Sequence, residues 1–203
     1  MSRLLTGLLL ACLALAPAAA QERFTILFLG DSLTAGYGLD EGQSFPALIE
    51  RRLAAEGHDI RVLNAGVSGS TSASGLSRLA WYARSNPDLV VLSLGANDGL
   101  RGLSVAEMKA NLAEIIETAQ AGGIQVVLTG MLVPPNMGPE YSESFAAVFP
   151  ALAGEYNIPL LPFLLEGVAA VPELNQADGI HPNLEGTRRV ADLVYEFLLP
   201  HLP

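Results

Sequence analysis

Apolar residues follow two rhythms along this chain. Short unbroken runs rich in leucine and β-branched residues occupy 24–29, 60–63, 89–94, 125–129 and 159–162. Runs of this length without polar alternation predict strands covered on both faces of a sheet. Between them lie longer stretches with apolar positions three and four apart, which predict helices over 45–56, 75–84, 105–121, 142–156 and 185–199. The helix at 105–121 carries the clearest signals: Ser104 as N-cap, Glu107 as its capping-box partner, and Gly122-Gly123 as the stop. Its Leu112, Ile115, Ile116 and Ala119 share one face and belong to a core. Strands alternating with helices from end to end predict an α/β fold in which a parallel sheet is covered by helices on both faces. The segment 130–141, "GMLVPPNMGPEY", follows a strand and predicts a loop over a site.

The first stretch has a different pattern. Arg3 precedes an apolar run over 4–16, too short to span a bilayer, and Pro17-Ala18-Ala19-Ala20 ends in a small-x-small sequence. This predicts a signal peptide at 1–20 and a single domain at 21–203, placing the mature protein in the periplasm or outside the cell, with no membrane span left. Cys12, the one cysteine, leaves with the signal, so neither a disulfide nor a thiolate metal site is expected. The formal charge is −10, from 21 acidic against 11 basic residues, and losing Arg3 makes it one unit more negative. Nucleic acid is excluded as a partner by that balance. A monomer acting on a small molecule is expected.

Polar residues gather where the strands end. The first strand runs into Gly30-Asp31-Ser32, the second into "NAGVSGSTS" (64–72), the third into "GAND" (95–98), and the last helix is entered through "DGIHPN" (178–183). Ligands of open parallel sheets collect at that rim. Asp31 and Ser32 have two readings there, as caps of the next helical turn or as the display of an attacking oxygen. A nucleophilic serine requires a base, a carboxylate to orient it, and donors for the oxyanion. Of the three histidines, His58 follows a helix end and His201 lies near the terminus, which leaves His181, with Asp178 three residues before it. The amide of Ser32, the amide of Gly69 and the side-chain amide of Asn97 are the candidate oxyanion donors. "GxSxG" is absent, so Ser32 is not an α/β-hydrolase elbow serine. Leu76, Leu100, Met131, Leu132, Val133 and Ile180, with Leu103 and Met137, are candidates for an acyl groove.

"GDSLTAGYG", the Gly69 loop, "GANDGLRG", "LLPF" and "DGIHPN" together resemble the successive blocks of the SGNH (GDSL) hydrolases. Within that family the match is to the bacterial periplasmic thioesterase, lysophospholipase and arylesterase group, over nearly the whole domain. The resemblance implies a flavodoxin-like three-layer α/β/α sandwich with a five-stranded parallel sheet. It also implies Ser32 as nucleophile, His181 as base, Asp178 as its orienting acid, and Ser32, Gly69 and Asn97 as oxyanion donors. Ser70 stands where many relatives have an acid, and Ala96 where a second glycine is frequent. The implied activity is hydrolysis of esters, and of thioesters, of acyl chains, aryl esters and lysophospholipids included, through an acyl-enzyme without cofactor or metal. Three rivals remain at this stage: an acyltransferase on the same scaffold, a metal-dependent phosphoesterase built on Asp31, Asp98, Asp178 and His181, and a non-catalytic anion-binding module.

Overall fold

The computed structural model describes residues 23–203, and the expected signal peptide lies outside the described residues. Five parallel strands form one sheet: β1 (Phe24–Gly30), β2 (Ile60–Asn64), β3 (Leu89–Ser93), β4 (Gln125–Thr129) and β5 (Leu160–Leu161), in the order β2-β1-β3-β4-β5. β1 and β3 are central, with Ile26 opposite Leu89 and Gly30 opposite Ser93, and residues 26–29 and 89–92 have no measurable exposure. A strand covered on both faces gains from apolar side chains at every position, which is why these runs do not alternate. The chain is thus the three-layer α/β sandwich that its pattern predicts.

The helices are α1 (Ser32–Ala35), α2 (Phe45–Ala55), α3 (Gly75–Tyr82), α4 (Ala96–Leu100), α5 (Val105–Ala121), α6 (Pro139–Tyr156) and α7 (Leu184–Leu198). The connection from β1 to β2 moves one way along the sheet, and those from β2 to β3, β4 and β5 move the other. Right-handed crossovers therefore put α2 on one face and α3, α5 and α6 on the opposite face. Packing agrees, since α2 lies on α7 while α3 lies on α5 and α5 on α6. The direction reverses between β1 and β3, and a crevice opens at the carboxyl ends of strands at such a reversal.

Several boundaries differ from those expected. The last strand shrinks to Leu160–Leu161, because an edge strand flanked by Pro159 and Pro162 loses amide donors at both ends. Helix α6 starts at Pro139, ahead of the predicted 142, since Gly138 (φ +86°) turns the chain and Pro139 is pre-set for a first helical position. The irregular segment is correspondingly shorter, and a 3₁₀ turn at Pro135–Met137 occupies part of it. The short helices α1 and α4 were not anticipated; each is a single turn directly after a central strand. In α5, Ser104 accepts a hydrogen bond from the Glu107 amide at 3.2 Å, as its capping signal predicts. Among the described residues no helix is long and apolar enough to cross a membrane.

Two glycines let the turn at Ser32–Ala35 sit tightly on the sheet. A Cβ on Gly30 would lie 1.9 Å from Thr34 Oγ1, and one on Gly66 would lie 2.3 Å from the Ala35 backbone nitrogen. The second neighbour is main chain and cannot swing aside. Gly66→Ala is therefore expected to lower stability by about 1–3 kcal/mol. A urea midpoint equal to that of the unmodified chain would contradict this packing.

Candidate active site

At the end of β1 Asp31 is a helix cap, and Ser32 is displayed beside it. Asp31 is 1% exposed and caps α1, its Oδ1 accepting from the Leu33 amide at 3.0 Å. The chain then turns, and the Ser32 side chain faces the crevice. At 2.9 Å from Ser32 Oγ lies Nε2 of His181, and His181 Nδ1 is 2.7 Å from Asp178 Oδ2. Hydroxyl, imidazole and carboxylate so form one continuous chain, although Ser32 and His181 stand 149 positions apart.

The loop before α7 is built to hold this geometry. Asp178 Oδ1 accepts from the amides of Ile180 and His181, both at 3.0 Å, so the carboxylate cannot rotate away from the ring. The His181 side-chain bond, then those two amides, hold the Asp178 carboxyl down at about 2. It is ionised wherever an imidazole is neutral, and it fixes the tautomer with the proton on Nδ1. Asn183 caps α7 by accepting from the amides of Glu185 and Gly186 at 3.0 Å each, which sets where the loop ends. The Tyr37 ring lies over the imidazole, centroids 4.6 Å apart.

Of the other two histidines, His58 follows α2 with its amide on the Leu53 carbonyl at 2.9 Å. His201 packs edge-on against Phe197 and borders a cavity beside the start of β4. Both serve local structure.

Loops after β2 and β3 supply the facing wall. Gly69 takes φ +78° within a turn closed by the Ser70 amide on the Val67 carbonyl at 3.1 Å. Arg101, just past α4, donates to the Gly69 carbonyl at 2.7 Å, and Asn97 Nδ2 donates to the Ser70 carbonyl at 3.0 Å and makes a longer 3.4 Å contact with Asp31 Oδ2. Asp98, buried, accepts from Ser72 Oγ at 2.6 Å and from the Ser72 amide at 2.8 Å, fastening the β2 loop to α4. Asp98 is therefore committed to holding a loop. Among the described residues, no group of three or more His, Cys, Asp or Glu side chains is placed to hold a metal ion.

Ser32, Gly69, Asn97 and His181 share a groove of about 700 Å³. Leu100, Met131, Leu132, Val133 and Ile180 line it, as their positions predict. Leu76 does not: it sits on α3 packed against the hydrophobic core. Leu103 and Met137 are not in the wall either. Leu103 lies in the connector pinned by Tyr141, and Met137 turns toward Gly102. Leu33, Tyr37, Phe163, Leu165, Ala169 and Ala170 line the groove and were not anticipated. The last four come from "FLLEGVAA" after β5, an apolar stretch without helical spacing, which was the available signal of a wall outside regular structure. Arg101 lies in the "GANDGLRG" block, but its contact is not readable there, because it depends on a carbonyl 32 positions away.

The chain as a whole is similar to known proteins. The profile of the GDSL-like lipase/acylhydrolase family matches residues 28–189, and the chain belongs to this family of ester hydrolases. It is 48% identical to the esterase TesA of Pseudomonas aeruginosa over 200 residues, 98% of each chain. It is 39% identical to thioesterase 1/protease 1/lysophospholipase L1 of Escherichia coli K12 over 177 residues, 87% of this chain and 84% of that one. The crystal structure of TesA superposes with a TM-score of 0.84 at 49% identity, covering 88% of this chain and 99% of that one.

Asp31 imposes a stability penalty on this site. Burial foremost raises its carboxyl from 3.8 to about 6, opposed by the Leu33 amide and the charges of His181 and Arg78. Between about pH 4 and 6 the folded chain keeps a proton that the unfolded chain has released, so stability falls as pH rises through that window. The ionised group costs about 3 kcal/mol at neutral pH. Asp31→Asn, which keeps an acceptor for the Leu33 amide, is expected to raise the urea midpoint at pH 8 and to change it little at pH 4. An unaltered or lower midpoint at pH 8 would contradict this.

Proposed function

We propose that this protein is an exported serine esterase that hydrolyses carboxylic esters and thioesters of acyl chains, aryl esters and lysophospholipids among them. The observation that carries the reading is the hydrogen-bond chain from Ser32 through His181 to Asp178, opening onto an apolar groove of about 700 Å³. The pattern over residues 1–20 supports export, and the names of the relatives support the range of esters.

In the reaction, His181 Nε2 accepts the Ser32 proton as Oγ forms a bond to the acyl carbon. Asp178 keeps the other ring nitrogen protonated and stabilises the imidazolium. Negative charge develops on the former carbonyl oxygen, which takes hydrogen bonds from the amides of Ser32 and Gly69 and from Asn97 Nδ2. Among the described residues neither of those two amides has a hydrogen-bond partner. The Asn97 hydrogen near Asp31, at 3.4 Å, is the weakly held one and turns to the oxyanion, while the other stays on Ser70. The C–O or C–S bond then breaks, His181 gives its proton to the leaving group, and water repeats the sequence to release the acid. Leu132, Met131, Val133, Phe163 and Leu165, from the segments after β4 and β5, hold the acyl chain.

Hydrolysis of p-nitrophenyl esters of graded acyl length tests this directly. Ser32→Ala is expected to remove at least about 1,000-fold of kcat, and Asp178→Asn about 100- to 10,000-fold through loss of the correct tautomer. The Asp178 carboxyl, held at about 2, adds no acid limb to the kcat/KM profile near neutrality. A Ser32→Ala enzyme retaining a tenth or more of the activity would refute the assignment.

A further inference from the structure

Base and nucleophile arrive on separate loops, and the 2.9 Å hydrogen bond between them requires those loops to be held in register. Gln176 spans the seam. Its Nε2 donates to the Tyr37 carbonyl at 2.7 Å and to the Pro182 carbonyl at 3.0 Å, and its backbone amide donates to the His181 carbonyl at 2.7 Å. On the far side, the Tyr37 amide donates to the carbonyl of Ser32 itself at 3.0 Å. Apart from Ser32–His181, the Gln176–Tyr37 contact is the one hydrogen bond joining residues 31–44 to 174–183 among the described residues.

The amide orientation follows from chemistry. Nε2 has two hydrogens and faces two carbonyls, so a flipped carboxamide would set Oε1 against both. Gly38 leaves the room: a Cβ there would sit 2.1 Å from Gln176 Oε1. We propose that Gln176 is a positioning residue whose carboxamide ties the turn behind the nucleophile to the loop carrying the base, and so sets the Ser32–His181 distance. This rests on the catalytic reading of Ser32 and His181 given above.

A misplacement of about 1 Å between reacting groups lowers rate by up to about 100-fold. Gln176→Met keeps side-chain length and removes both donors. In the full chain, with a p-nitrophenyl ester, it is expected to lower kcat by about 10- to 100-fold and to leave KM within about twofold, because Gln176 itself does not line the groove. Gln176→Asn, one methylene shorter and unable to span both carbonyls, is expected to lower kcat in the same direction with KM again little changed. The proposal is overturned by a Gln176→Met enzyme with kcat within about threefold of the unmodified chain, or by a loss that appears in KM. If Gln176→Met does not fold, the kcat and KM of Gln176→Asn decide on the same criteria. A fully active Gln176→Met beside an inactive Ser32→Ala overturns this inference alone, whereas an active Ser32→Ala overturns the catalytic reading and this inference with it.

Discussion

Everything in this molecule that bears on chemistry depends on bringing one imidazole to one hydroxyl. Ser32 is fixed by the most buried part of the protein, being the first residue of a turn welded to a central strand. His181 has no such anchor and must be delivered by a loop. Its position is set by α7, which lies on α2. Arg52 of α2 stacks at 3.6 Å over the Tyr195 ring of α7 and bonds Glu56, Asp192 and Glu196. Exposed ion pairs contribute little singly, so the holding force is the apolar face of α7, with Val190, Val194 and Leu198 buried. Helix packing on the face of the sheet where α2 and α7 lie thus sets where the loop carrying His181 joins the fold, and contacts within that loop set the rest.

The reversal of connection between β1 and β3 explains why the remaining groups converge. Ser32 follows β1 and Asn97 follows β3, so neighbouring strands present the two at the same rim. Buried polar contacts then lock the loops: Asp98 to Ser72, Asn97 to Ser70, and Arg78 to the carbonyls of Gly30 and Ala65, both at 2.7 Å. Such contacts are costly when incomplete, and Asp31 illustrates the trade. Its carboxyl is buried against its own ionisation, yet it caps the nucleophile turn and borders the Asn97 amide. Strain and desolvation of this kind concentrate where a site must be preorganised.

Much of this was legible in the sequence, for identifiable reasons. The central strands and α5 announce themselves because burial on both faces and helix capping are local properties. Ser32, Asp178, His181 and Asn97 stand out because strand ends, a short Asp-x-x-His loop and a turn place chemistry within a few residues of a structural signal. What stayed hidden depends on contacts across the fold. Arg101 and Gln176 act on carbonyls distant in the chain, and polar side chains at a surface carry no mark of the partner they reach. Leu76 shows the converse: its spacing suits a groove or a core equally, and packing on α3 decides for the core. The wall at 163–170 was missed because it is apolar without being regular, and Ala170 adopts φ +59°, which no local propensity favours.

The central claim is that one oxygen bonds covalently to the substrate while three donors from three loops receive the displaced charge. A crystal structure of the enzyme inactivated by an alkyl phosphonate tests it most directly, since a tetrahedral phosphonyl group mimics the intermediate. The account predicts phosphorus bonded to Ser32 Oγ, with one phosphoryl oxygen within about 3 Å of the Ser32 amide, the Gly69 amide and Asn97 Nδ2. Modification at another residue, or a phosphoryl oxygen turned away from Gly69 and Asn97, would contradict it.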